Sequence, residues 1–205
     1  MSDIKHIIFD LYGTLIDSNP HLLSVKRGDL LAWGKKRWMC HNKKEDEYFS
    51  EYCEQHGGDP QELAQSFREM EASTAFFPDI LDLVQELQEA GYELHVLSNC
   101  GRSIKSFVDE HEEIFDLFNT LNFSYQLGHT KPDPQAFKKV LTRINAEAHE
   151  CVMIGDNQRS DVQGAHNVGM QAFYFDGRHM PAKELREQLR EAGILQQKQS
   201  LNTHL

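Results

Sequence analysis

Several residues able to do chemistry stand where short apolar runs stop. Asp10 directly follows the run 4–9, Ser98-Asn99 follows 92–97, and Gly155-Asp156 follows 150–154, with Asp161 five positions later. Lys131 lies in the polar stretch His129-Thr130-Lys131-Pro132-Asp133-Pro134. A buried strand holds the residue after it rigidly at a sheet edge, so side chains from several strand ends can converge in one crevice. Taken singly, an Asp after a strand also serves as a turn or cap residue. Taken together, Asp10, Asp156 and Asp161 bring three carboxylates against the single cation Lys131. Like charges at close range cannot all ionise without compensation, so such a cluster takes up a proton or binds a cation. Oxygen donors without His or Cys favour Mg²⁺ over zinc.

The elements that would carry these residues alternate. The apolar runs 4–9, 92–97, 150–154 and 171–175 read as buried strands. Helix-like spacing over 80–90, 134–144 and 161–168 precedes the last three. That alternation implies an α/β fold: a Rossmann-like parallel sheet covered on both faces by helices. Segment 18–77 shows no strand pattern and reads as an inserted, small all-helical subdomain of two or three antiparallel helices. The core is then 1–17 and 78–205. Ser18-Asn19-Pro20 marks a helix start, and Gly57-Gly58-Asp59-Pro60 is a break with Asp59 placed to cap the next helix. Residues 182–192 are helix-like, Gly193 is a stop, and the polar tail to Leu205 is expected to fray.

With 205 residues and a net charge of −11, the chain has room for a large core and no electrostatic case for general binding to nucleic acid or anionic membranes. No export signal or bilayer-length apolar run is visible, so a cytoplasmic location is expected. Cys40, Cys53, Cys100 and Cys151 lie far apart and read as reduced thiols. Within the insert, Lys26, Arg27, Lys35, Lys36, Arg37, Lys43 and Lys44 occur with only Asp29 among them, whereas 45–71 holds nine acids. The basic run fits either a solvated face or attraction of an anionic substrate.

The string Phe9-Asp10-Leu11-Tyr12-Gly13-Thr14-Leu15 resembles the first motif of the haloacid dehalogenase-like hydrolase superfamily. Ser98-Asn99, Lys131 and Gly155-Asp156 with Asp161 resemble its second, third and fourth motifs in the same order. The resemblance implies that Asp10 is the nucleophile of a covalent aspartyl intermediate. By the same resemblance Thr14, Ser98, Asn99 and Lys131 hold a phosphoryl group, and Mg²⁺ is held by Asp10, Asp156, Asp161 and the backbone carbonyl of Tyr12. The insert becomes a cap over the site.

Tyr12 departs from the phosphatase pattern, which carries a second aspartate there as acid and base. A tyrosine hydroxyl can donate a proton but, with a pKa of about 10, is a poor base at neutral pH. Asp-Leu-Tyr-Gly-Thr-Leu is more similar to the 2-haloacid dehalogenase branch, in which departing halide needs no proton. The acidic fourth motif has the metal-binding phosphatase form. The expectation is therefore a Mg²⁺-dependent phosphatase acting on a small phosphomonoester. The alternatives are a 2-haloacid dehalogenase or phosphonatase-like hydrolase, with Arg37 as a candidate anion contact, and a catalytically impaired phosphate-ligand binder. Oligomeric state is left open.

Among secondary residues, Arg102 and Asn99 stand near the second motif, while Asn157 and Ser160 fit a turn brace or helix cap. Cys100 and His95 read as core, His129 as loop and Asp17 as a hinge or cap residue. Trp33, Trp38, Phe76 and Phe77 are expected to pack the insert or its hinge.

Overall fold

The computed structural model describes residues 3–35, 37–42 and 45–196. Lys36, Lys43 and Lys44 of the basic run, and the tail 197–205, lie outside them. The strands are β1 (His6–Phe9), β2 (Ile16–Asp17), β3 (Ala75–Phe76), β4 (Glu93–Ser98), β5 (Thr120–Phe123), β6 (Cys151–Gly155) and β7 (Gln171–Tyr174). The helices begin with α1 (Arg27–Gly34), α2 (Phe49–His56), α3 (Pro60–Ala72), α4 (Pro78–Glu89) and α5 (Ile104–Glu110). They continue with α6 (Glu112–Phe115), α7 (Ser124–Leu127), α8 (Pro134–Ile144), α9 (Gly164–His166) and α10 (Ala182–Glu191).

Five strands form one parallel sheet in the order β5-β4-β1-β6-β7, with β1 central. Side chains alternate across it, as period-two geometry requires. Ile7, Phe9, Leu94, Val96, Val152 and Ile154 join the core shared with α4 and α10, whereas Ile8, Leu97, Cys151 and Met153 join the core under α8 and α9. Both faces are covered, which is why the strands read as nearly continuous apolar runs. Strand β5 escaped that reading because Asn122 breaks its apolar pattern. Its amide is satisfied internally, donating to the Val96 carbonyl at 2.9 Å.

Two expectations are corrected. Segment 18–77 shows no strand pattern in its sequence, yet Ala75–Phe76 pairs antiparallel with Ile16–Asp17, so both crossings of the chain run through one short ribbon. Two-residue strands are too short to leave a periodic signal. The helix expected over 161–168 begins instead as a π-helical turn, Gln158–Gln163, before α9. Asn157 opens it, its Oδ1 accepting the backbone N–H groups of Arg159 and Ser160 at 3.1 and 2.9 Å.

Helices α1 to α3 enclose an apolar cluster of their own, built on Leu30, Trp33, Trp38, Phe49, Leu63 and Phe67. Asp59 caps α3 by accepting the N–H groups of Gln61 and Glu62. The 3-10 turn Trp38–Cys40 packs against α7 on the sheet domain, so this helical layer touches the core away from the ribbon as well. Among the described residues no helix is long and apolar enough to cross a membrane.

Candidate active site

Strand β1 delivers Asp10 to the carboxyl edge of the sheet. Its backbone N–H donates to the Ile154 carbonyl at 2.8 Å, the last rung joining β1 to β6, so the loops bearing Asp10 and Asp156 emerge side by side. The Leu11 N–H donates to Asp10 Oδ1 at 2.7 Å. Lys131 Nζ stands 2.8 Å from the same oxygen and 2.7 Å from Asp161 Oδ1. All three side chains are buried, Asp161 completely. Asp161 is held in turn by the Ser160 hydroxyl at 3.2 Å and by the Asn157 N–H, which donates to Oδ2 at 2.9 Å. Its bonds make it the anchor of Lys131.

Asn99 follows Ser98, and its hydrogen bonds run to the loop that carries Lys131. Its Nδ2 donates to the Lys131 carbonyl at 2.8 Å and its Oδ1 accepts the Lys131 N–H at 2.7 Å. The amide clamps the backbone that carries the lysine. Ser98 ends β4 and is buried, and so is Thr14.

Two glycines explain how the loops approach so closely. At Gly13, φ is +83°, and a Cβ there would lie 2.1 Å from Asp156 Oδ2. At Gly155 a Cβ would lie 2.5 Å from the Asp161 carboxyl carbon. Any side chain at either position would push the carboxylates apart.

Sequence reasoning missed Arg178. Its Nη1 donates to Asp156 Oδ2 at 2.9 Å and to Asp176 Oδ1 at 3.3 Å, and its Nε donates to Asp17 Oδ2 at 2.6 Å. Asp17 lies in the ribbon and faces Arg27 of α1 at 3.7 Å. The signal was available, since Asp176-Gly177-Arg178 is a polar stretch directly after an apolar strand. Arg37, weighed as an anion contact, instead stacks over Trp33 at 3.7 Å and pairs with Glu51 at 3.2 Å. Arg27, not Arg37, lines a cavity of about 90 Å³ beside the site, together with Tyr12, Leu30, Trp38, Met39 and Asn99. Of the remaining candidates, Cys100 is buried and Arg102 exposed, His129 pairs with Asp133 at 2.9 Å, and Phe76 packs on Phe107 and Phe115 beside the ribbon.

Burial pushes the Asp10 carboxyl up to about 7, against the pull of Lys131 and with the help of Asp161. Burial likewise raises Asp156, and the Arg178 guanidinium opposes it. Burial works to lower Lys131, but Asp10 and Asp161 outweigh it and hold the ammonium above the ordinary lysine range. A carboxylate oxygen from each of Asp10, Asp156 and Asp161 lies within 4.8 Å of the other two. An all-carboxylate set with surplus negative charge fits a hard divalent cation such as Mg²⁺. Asp10 and Asp156 could hold it, with Asp161 behind.

The family model for haloacid dehalogenase-like hydrolases matches residues 4–169. The chain belongs to that family. A ribulose-1,5-bisphosphate 5-phosphatase from Halopiger xanaduensis is 30% identical over 156 residues, which is 76% of this chain and 53% of that relative. A glyceraldehyde 3-phosphate phosphatase from Pyrococcus abyssi is 36% identical over 99 residues, 48% of this chain and 41% of that relative. The chain thus spans about half the length of these curated relatives. A haloacid dehalogenase family enzyme from Bacteroides thetaiotaomicron, solved with magnesium and inorganic phosphate, superimposes with a TM-score of 0.68. The match covers 89% of this chain and 100% of that one at 18% identity, a likeness of fold.

Proposed function

We propose that this haloacid dehalogenase-like hydrolase is a Mg²⁺-dependent phosphatase that cleaves small phosphomonoesters through an aspartyl-phosphate on Asp10. The observation that carries the reading is the buried Asp10 carboxylate, bound at one oxygen by Lys131 and the Leu11 N–H and set beside Asp156. Those two donors orient Oδ1 and leave Oδ2 to attack phosphorus in line with the departing alkoxide. Lys131, fixed by Asn99 and Asp161, neutralises charge on the nucleophile and the transferring oxygens. Ser98, at the end of β4, is the hydroxyl that holds the phosphoryl group, and Thr14 lies fully buried beneath the loop. Bound Mg²⁺ would supply charge neutralisation at the phosphoryl oxygens, held by Asp10, Asp156 and the Tyr12 carbonyl.

Helices α1 to α3 act as a cap whose cavity receives the leaving group. Leu30, Trp38 and Met39 make it largely apolar, while Arg27 supplies a cation. Tyr12 borders the same cavity, where its hydroxyl can donate a hydrogen bond to the leaving oxygen. The phosphatase names of the two curated relatives support the reading. A panel of phosphomonoesters assayed with and without EDTA tests it. Turnover that requires Mg²⁺ and is abolished by Asp10→Asn is expected; turnover indifferent to either overturns it.

One observation favours a second reading. Tyr12 stands where an acid-base aspartate would serve a phosphatase, and its cavity is apolar, as carbon–halogen cleavage would suit. Metal-independent halide release from 2-chloropropionate would establish that alternative, and its absence across haloacids would dismiss it.

A further inference from the structure

A second group of metal-ligating side chains lies at the other end of the sheet from Asp10. His6 opens β1, and Glu93 and His95 lie in the first half of β4, in a register that pairs His6 with Glu93. Period-two alternation puts all three on the face that Ile8 and Leu97 share with α8. His6 Nδ1 is 3.2 Å from His95 Nε2 and 3.5 Å from Glu93 Oε2, and His95 Nε2 is 4.0 Å from the same oxygen. Tetrahedral zinc, with bonds of about 2.0–2.2 Å to nitrogen and oxygen, sets its ligand atoms about 3.3–3.5 Å apart. The 3.5 Å edge already meets that spacing, and the 3.2 Å edge falls about 0.1 Å short of it. The third closes with a shift of about half an ångström by Glu93, whose side chain is 56% exposed while those of His6 and His95 are 9% and 1% exposed. The two nitrogens are fixed in place, and the movable carboxylate faces solvent, where an ion and a water ligand enter.

His95 is oriented from behind. Its Nδ1 lies 3.0 Å from Thr120 Oγ1, which accepts from Asn122 Nδ2 at 2.9 Å, and Asn122 Oδ1 accepts from Arg143 Nη1 at 3.1 Å. In the tautomer that donates Nδ1–H to Thr120, the lone pair sits on Nε2 and points at His6. An outer hydrogen-bond partner of this kind is what fixes the tautomer and ring orientation of metal-bound histidines.

The geometry points to a transition-metal site of the zinc class, made by His6, Glu93 and His95 with a solvent molecule as fourth ligand, separate from the magnesium site at Asp10. Two imidazoles and one carboxylate suit zinc, whereas Mg²⁺ prefers oxygen ligands alone. The ion ties β1 to β4 where both strands begin. At about 3.3 Å per residue, that is about 13 Å along the strand from Asp10.

Cobalt(II) is the probe, titrated into the full chain with Mg²⁺ saturating the carboxylate site. One equivalent is expected to give the strong visible absorption of a four-coordinate ion, and one equivalent of zinc to remove it. Glu93→Gln, a change at an exposed position that leaves the fold intact by circular dichroism, is expected to weaken cobalt binding about tenfold or more. His95→Asn should abolish the bands, and Asp156→Asn should leave them unchanged. A colourless titration overturns the site and leaves His6 and His95 joined by a simple hydrogen bond. So do bands that survive Glu93→Gln at full affinity, or bands lost in Asp156→Asn.

Discussion

At the residue scale the site turns on how buried charges are compensated. A carboxyl raised to about 7 is half protonated at neutral pH, and the nucleophile must be ionised to react. In the metal-free protein the folded state keeps a proton that the unfolded chain releases near about 3.9. This contribution to stability is complete below that value and is lost as pH rises through about 7. Mg²⁺ competes with that proton. Its apparent affinity, followed by calorimetry, should therefore be constant above pH 8 and fall by up to about tenfold per unit below 7; affinity flat from pH 5 to 8 would contradict the role given to Asp10. Arg178 poses a different problem, because its guanidinium occupies an oxygen of Asp156 that the cation also attracts. Arg178→Gln is expected to tighten Mg²⁺ binding about three- to tenfold, the scale of one partly exposed charge at close range. Weaker binding in that variant would show instead that Arg178 holds Asp156 ready for the ion.

At the element scale, each strand end supplies a different function and the loops are built for close approach. Asp10, Ser98 and Asp156 were legible because each follows an apolar run, and a strand buried on both faces leaves that mark in a sequence. Lys131 was legible only as part of a motif, since no periodicity places a loop residue. Arg178 was visible only as a polar residue after an apolar run, its role was not legible, and neither were the paired Ile16–Asp17 and Ala75–Phe76. The first depends on two carboxylates distant in sequence, and the second is too short for a pattern. Asn99 was visible as a residue near the second motif, able to reach substrate or brace a loop, while the particular backbone it clamps, that of Lys131, is a tertiary fact. The helical layer has its own core, so it should melt on its own. Trp38 is 1% exposed and packs edge-to-face on Phe49. Trp38→Ala should remove about 3–5 kcal/mol from that core. Hydrogen exchange should then rise across α1 to α3 while β1, β4 and β6 stay protected; an equal rise in the sheet would show that the two layers unfold together.

At the scale of the whole molecule, a chain of net charge −11 concentrates buried acids where the central strands end. Cancelling that charge links the site to overall stability. With Mg²⁺ at about a hundred times its dissociation constant, binding to the folded state alone contributes about 2.7 kcal/mol. For a chain of this size that is a rise in Tm of about 5–10 °C, which Asp156→Asn should remove. An equal shift in that variant would place the ion elsewhere. The central claim is that Asp10 itself takes the phosphoryl group. The most direct measurement is to quench the enzyme in acid during turnover of a phosphomonoester with Mg²⁺, reduce it with borohydride, and sequence the peptide bearing position 10 by mass spectrometry. Reduction of an acyl phosphate converts that aspartate to homoserine, and homoserine at position 10, absent when Mg²⁺ is omitted, is the predicted result. Turnover that proceeds with Asp10 recovered unmodified would contradict the account.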